Sequence, residues 1–552
     1  MPKPITAQSL FEQILQIQQM EHGSLCTIGQ GPNGPYFNLN SWENNQNRSR
    51  YVPRDKVPAV QQAIENYHLY QQLTQQYAQQ IVDQTRTQLG LEVKKKEPAA
   101  SPIPILLAQE QEIQRLIAAY QANAPTGEAT QQLEVLIRTA LFKPAKELVG
   151  YLLQAAADRI DAAYQPKPGE LRKGRVPISL ECIFGSFTLV RDYYYHEGKK
   201  QGHYPADAAL GLEAGYTPAL ARLVCLEGAD AGSYEKAQTH LQETGGIAVP
   251  ARQIQRLVQP VGAAAQSWQQ RETLVPEPGS EAVPVMYVSG DASGVPMRPA
   301  ELVGRTGHQP DGKAKTRMAY LGCVFTQHKC DEEGHPMRDH RSTTYVSSFG
   351  AIDEFGPLLR QEAIRRGLPL ATQVVLLIDG ANGLENMGRL CFPTATQIVD
   401  FYHAMDHGGK VMVALLGSKE HKDYKPRLRR WAKRLLKDRV EHLIAEVRRE
   451  CAGKKQAEAV EKELGYFVNN VARMQYGTFR RQGFFIGSGV VEAGCKTVIG
   501  SRCKRSGMFW GKPGAENILA LRCVQAGFRL DQFWKHRLNA HAARNDSLPL
   551  AA

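Results

Sequence analysis

Several familiar organising features are missing from this chain, and each absence removes a class of protein. No C-x-x-C pair occurs among its ten cysteines, which lie scattered from Cys26 to Cys523. Neither a zinc ribbon nor a dense disulfide framework is suggested, and dispersed thiols in a long chain fit a reducing compartment. No apolar run approaches the eighteen residues that a membrane span needs. The opening Met-Pro-Lys-Pro-Ile-Thr has no basic segment followed by an apolar core, so no secretory signal is read there. A cytoplasmic protein without a membrane partner is expected.

What is present is a long, basic chain. Its 552 residues are too many for one ordinary domain. Lys and Arg number 67 against 55 Asp and Glu, a net charge of +12. Such an excess favours a polyanionic partner, because cations that neutralise phosphates release condensed counterions. Plain solubility explains the same charge equally well.

The texture changes along the chain. Turn residues flanking short aromatic stretches (Gly34-Pro-Tyr-Phe37, then Ser49-Arg-Tyr-Val-Pro53) predict a small β-rich unit followed by a long Gln-rich helix, over 1–95. The region 96–275 reads as mainly helical, opening on a Lys- and Pro-rich linker at 94–104. It includes a β-hairpin near 175–195 that turns at Gly185-Ser186. Two helices around Gly245-Gly246 form a candidate helix-turn-helix with Arg252, Gln255 and Arg256 toward DNA, although two packed helices give the same pattern.

After a Pro-rich stretch near 275–282, Val283–Asp291 and Gln373–Asp379 read as buried strands that each end on a carboxylate. With strands near 318–326, 342–349 and 397–400 and a helix at 353–366, the order is β-β-β-α-β-α-β. Strand ends of this kind gather ligands and metals. Apposed carboxylates repel and call for a cation. Magnesium, or manganese, suits such hard oxygen donors, and two ions about 4 Å apart serve phosphoryl transfer. Glu492 supplies a third acid from a later helix, with Lys496 four residues on. The segment 493–512 holds Lys496, Arg502, Lys504, Arg505 and Lys512 and no acid.

These pieces carry a resemblance. Ser289-Gly-Asp291-Ala-Ser-Gly, Leu377-Ile-Asp379-Gly-Ala and Gly487-Ser-Gly-Val-Val-Glu492-Ala-Gly-Cys-Lys resemble bacterial insertion-sequence DDE transposases, most closely the ISKra group and its relatives. So do Lys504-Arg-Ser-Gly-Met-Phe-Trp510 and Gly514–Arg522. The likeness covers roughly 283–525 and is weaker before it. It implies a multidomain α/β protein: an RNase H-like mixed-sheet catalytic core (276–402 and 480–530) with a helical insertion (403–479), mainly helical N-terminal DNA-binding regions, and a tail at 531–552. It further implies strand cleavage and strand transfer at the element's terminal repeats. Asp291, Asp379 and Glu492 would hold two divalent ions, and the partner would be double-stranded DNA.

Asp379 follows Asp291 by 88 residues and Glu492 follows Asp379 by 113, which exceeds a minimal core and locates the insertion. Within it, Arg427, Arg429, Arg430, Lys433 and Arg434 crowd around Trp431 as candidate DNA contacts, with Arg502, Lys504 and Arg505 beyond. A solvated helix face is the plainer alternative. Asp400-Phe-Tyr-His403 matches a pattern in relatives and makes Asp400 and His403 possible auxiliary groups, along with Lys496. Glu385 and His308 are two further candidates that no spacing selects. The cysteine pair that relatives carry after a strand like Leu189–Tyr195 is missing, so no structural zinc is expected. A homodimer or higher assembly on DNA, and nucleoid association in a bacterium, follow from the resemblance alone. A nuclease or resolvase on the same core, or a non-catalytic DNA-binding derivative, remain the alternatives.

Overall fold

The computed structural model describes residues 6–32, 34–43, 46–88, 113–116, 118, 126–307 and 312–543. The linker expected at 94–104 and His308 lie outside these residues. The chain divides into two compact units, Met1–Pro98 and Ala99–Ala552.

In the first unit, helix α1 (Ala7–Leu15) precedes an antiparallel sheet of β1 (Ser24–Gly31), β2 (Gly34–Glu43) and β3 (Gln46–Val52), followed by helix α2 (Val57–Gln88). Thr6 caps α1 with a reciprocal Thr6–Ser9 capping box. Strand alternation places Leu25, Leu39 and Val52 on one side of the sheet, packed with Ile64 of α2.

The second unit opens with helix α3 (Gly127–Ala163) and a sheet of β4 (Glu170–Cys182), β5 (Gly185–His196) and β6 (Gln201–His203). The β4–β5 hairpin turns at Ile183-Phe184, two residues earlier than expected, because Cys182 pairs with Gly185 and Gly185 takes a positive φ of 121°. Helices α4 (Pro218–Asp230), α5 (Tyr234–Gly245) and α6 (Ala251–Gln270) follow. Gly246 ends α5 at φ 65°, in the left-handed region that glycine tolerates best.

A mixed five-stranded sheet forms the centre. It comprises β7 (Val285–Pro296), β8 (Thr316–Gln327), β9 (Thr344–Ser348), β10 (Gln373–Ile378) and β11 (Thr396–Val399), in the order β9-β8-β7-β10-β11. The first three pair antiparallel, whereas β10 runs parallel to β7 and β11 parallel to β10. Near-continuous apolar runs suit strands covered on both faces. On one face Met286, Val288, Leu376 and Ile378 pack against helices α7 (Ile352–Arg365) and α8 (Asn382–Cys391).

The other face carries Tyr287, Phe325, Leu377 and Val399. It is covered by α9 (Phe401–Leu416), α10 (Tyr424–Leu435), α11 (Val440–Cys451), α12 (Ala457–Asn470) and α13 (Tyr476–Arg481), through Trp431, Leu435, Phe467 and Tyr476. This helical stretch therefore shares one core with the sheet. The chain returns through α14 (Gly489–Gly494), a π-helical segment (Cys495–Gly500), α15 (Lys512–Ala526) and α16 (Leu530–Ala543). A third core joins α4, α6 and α15 through Val224, Leu257, Val258 and Ile518. Among the described residues no helix is long and apolar enough to cross a membrane.

Candidate metal centre

Register brings the acids to the same end of the sheet. Ser289 of β7 faces Leu377 of β10, and Ile378 of β10 faces Val399 of β11. Two residues on from the first pair stand Asp291 and Asp379, and one residue on from the second stands Asp400. The Asp400 N–H donates to the Ile378 carbonyl at 2.7 Å, so the pairing continues to that point. Strand alternation puts Asp291 on the side of Tyr287 and Leu377, and Asp379 directly follows the last residue of β10. Glu492 arrives on the same side, because α14 buries Val491 in the core formed by Tyr287 and Leu377.

Each acid has a distinct setting. Asp291 is half-buried, and its Oδ1 accepts from the Ala292 N–H at 2.6 Å. Cys495 lies beside it, and burial together with the Asp291 charge pushes that thiol's pKa up. Lys504 donates to the Ser293 hydroxyl, two residues along the same strand. Asp379 accepts from the Ala381 N–H at 2.9 Å. Its own carbonyl accepts from the Tyr466 hydroxyl of α12 at 2.8 Å. The Tyr466 ring stacks on His407 of α9 at 3.7 Å and 5°.

Asp400 is fully buried. Its Oδ1 caps α9 by accepting from the His403 N–H at 2.6 Å, and its Oδ2 accepts from the Ser488 N–H. Ser488 in turn donates from Oγ to the Glu492 Oε1 at 2.9 Å. One carboxylate thus fixes the loop that aims another. Ligand atoms of Asp400, His403 and Glu492 all lie within 4.8 Å of one another. Glu492 is therefore grouped with the expected auxiliary pair. Glu385, by contrast, pairs with Arg473 at 2.9 Å.

The donor set fits a hard divalent cation. It consists of carboxylate oxygens and one imidazole, and among the described residues no lysine or arginine forms an ion pair with Asp291, Asp379, Asp400 or Glu492. Apposed acids without a compensating cation suit a metal-ion site.

The basic candidates divide. Arg502 is 1% exposed, so it is not a surface contact for the DNA backbone. Its guanidinium lies 5.0 Å from the ring centres of both Tyr234 and Trp510, and burial lowers its pKa. Arg427 is held by Glu450 at 2.7 Å and Arg434 by Glu446. Arg429, Arg430 and Lys433 are exposed on α10, while Trp431 points into the core. Lys504 and Arg505 are exposed. Lys496 is exposed too, but the π-helical segment that begins at Cys495 widens the turn there. An ideal four-residue spacing from Glu492 no longer applies. The role of Asp400 as a clamp on Ser488 was not readable beforehand, because it depends on a bond across 88 residues.

Compared with known proteins, the chain matches no family model and no curated protein. Among solved structures, it aligns with the Drosophila P element transposase strand transfer complex at 11% identity and a TM-score of 0.22. The alignment covers 59% of this chain and 81% of that one. A likeness this slight carries nothing about the chain's fold or function.

Proposed function

We propose that this protein is a DDE-type DNA transposase that cleaves and joins DNA strands with the help of divalent metal ions. What supports the reading is a set of acids at the ends of adjacent strands: ligand atoms of Asp400, His403 and Glu492 lie within 4.8 Å of one another, and Asp291 and Asp379, outside that group, close the neighbouring strand segments. Asp291 on β7 and Asp379 after β10 each come two residues past the last pair of those strands, Ser289 and Leu377, and the helix that carries Glu492 buries Val491 in the core of the Tyr287 face. The strand order β9-β8-β7-β10-β11, antiparallel then parallel, is compatible with an RNase H-like core and supports the fold implied by the sequence resemblance.

Asp291, Asp379 and Glu492 would hold the ions, with His403 at the margin. Two such ions, when bound, supply Lewis-acid stabilisation of the attacking and leaving oxygens in phosphoryl transfer. The chain's own groups do the positioning. Asp400 fixes the Ser488 backbone, and Ser488 orients Glu492. Tyr466 holds the backbone of Asp379 from the helical layer that covers the Tyr287 face. Exposed Lys504 and Arg505 would neutralise the phosphates of a scissile strand, and exposed Arg429, Arg430 and Lys433 would form a second cationic track for duplex DNA.

The test is Asp379→Asn, assayed on DNA carrying the inverted repeats that flank the gene. Magnesium-dependent cleavage should be lost while DNA affinity persists. Cleavage by this variant at the parental rate overturns the reading. A 3′-hydroxyl joined to target DNA in the parent separates transposition from simple nuclease activity.

A further inference from the structure

A second site lies away from the acids, in a cavity of about 360 Å³ between the start of α5, the middle of α6 and the loop before α15. We propose that it receives one unstacked guanine of a DNA strand, a subsite that rests on the DNA-processing reading above.

Three features support a nucleobase. The first is an unmet demand for acceptors. Arg502 has five N–H donors in a rigid fork. Among the described residues it bonds only the Met508 sulfur, at 3.5 Å, and its buried Nε has no acceptor. Buried donors are mostly satisfied, and of the several unpaired ones among the described residues this one belongs to a side chain that lines the cavity. The two acceptors on the guanine edge match a guanidinium fork, the commonest specific contact between protein and base.

The second feature is aromatic surface. Tyr234 and Trp510 flank Arg502, and Phe509 stands at the cavity mouth with 60% of its surface exposed. An exposed ring beside a polar pocket is a platform on which an unstacked base can lie. The third is a fixed amide. Gln259 donates to the Tyr234 hydroxyl at 3.3 Å and accepts from Asn517 at 2.9 Å, which holds its orientation before any ligand arrives.

Position agrees with this use. Trp510 bridges to Met297 at the far end of β7, the strand that carries Asp291. The six residue steps from Asp291 to Met297 span about 20 Å, or about six base steps along a DNA strand. Exposed Lys504 and Arg505 lie on the intervening loop and would follow its phosphates. A free phosphate alone would make no use of Phe509.

The test uses the full chain carrying Asp379→Asn, in EDTA, and reads only binding. A fluorescently labelled oligo-dT strand carries one central dG, one dA or one abasic position, and its affinity is measured by anisotropy. The dG strand should bind at least about fivefold more tightly than the abasic one, the lower end of what base–aromatic stacking contributes, and more tightly than the dA strand. Phe509→Ala, at an exposed position, should remove the advantage over the abasic strand. Arg502→Lys should remove the preference for dG over dA while leaving dA ahead of the abasic strand. Equal binding of all three strands, equal binding of dG and dA, or a dG advantage that survives Phe509→Ala overturns the proposal. No cleavage enters the assay, so failure of the metal-site reading would leave this result standing, and the reverse.

Discussion

Replacing Asp400 by Asn tests how one buried carboxylate positions another. Asp400 has no solvent exposure and accepts from two backbone N–H groups, His403 through Oδ1 and Ser488 through Oδ2. Asn keeps one carbonyl oxygen and is as good a helix cap as Asp. That oxygen should stay on His403, leaving an amide N–H₂ against the Ser488 N–H, a donor facing a donor. A hydrogen bond to a charged group is worth about 1.5–3 kcal/mol, and the abandoned donor is buried. At about 1.4 kcal/mol per factor of ten, the Ser488 amide should exchange with solvent roughly ten- to hundredfold faster. Hydrogen exchange followed by mass spectrometry over residues 486–492 reads this, with the His403 amide as an internal control that should not change. Loosening Ser488 also frees Glu492, so metal-dependent cleavage should fall about tenfold, the kinetic equivalent of 1.4 kcal/mol, with DNA affinity retained. An unchanged Ser488 exchange rate in the folded variant refutes the clamp.

Two further perturbations probe the scaffold. Arg529→Met removes one of two guanidiniums on the nearly inaccessible Glu362, at 2.8 Å, while Arg365 at 3.1 Å remains, and losing a hydrogen bond to a charged group should destabilise the second unit by about 1.5–3 kcal/mol. Calorimetry should show a clear fall in melting temperature; an unchanged value contradicts the pairing. His407 is held below its ordinary pKa by burial and then by Lys410, with Glu463 and Asp406 opposing and His403 adding to the depression. Folding therefore favours the neutral ring. Its contribution is fully present above about pH 6.5, the unfolded value, and is lost as pH falls through the lower folded value. His407→Phe keeps a ring against Tyr466 and should narrow the difference in melting temperature between pH 7.5 and 5.5; an unchanged difference contradicts the assignment.

Local pattern and long-range contact account for what the sequence did and did not disclose. The runs Val283–Asp291 and Gln373–Asp379 announce buried strands because both faces of the sheet are covered, and β7 and β10 form there. The hairpin was visible from its aromatic alternation, but its turn was not. Gly185 suits a turn position equally well, yet it is the first residue of β5. Arg502 sits in a basic run and reads as surface. Only the packing of α5 and the 505–511 loop around it takes it inside. The spacing of Glu492 and Lys496 assumes an ideal helix, and a π-helical segment intervenes from Cys495. Ser488, Tyr466 and the clamp by Asp400 depend on partners dozens of residues away, which no local window contains.

The central claim is that Asp291, Asp379 and Glu492 grip divalent cations together. Anomalous diffraction from crystals of the protein soaked in Mn²⁺ addresses it directly. Manganese density bounded by these three side chains, and lost in Asp379→Asn, is the predicted result. Manganese bound elsewhere, with none between the carboxylates, would contradict it.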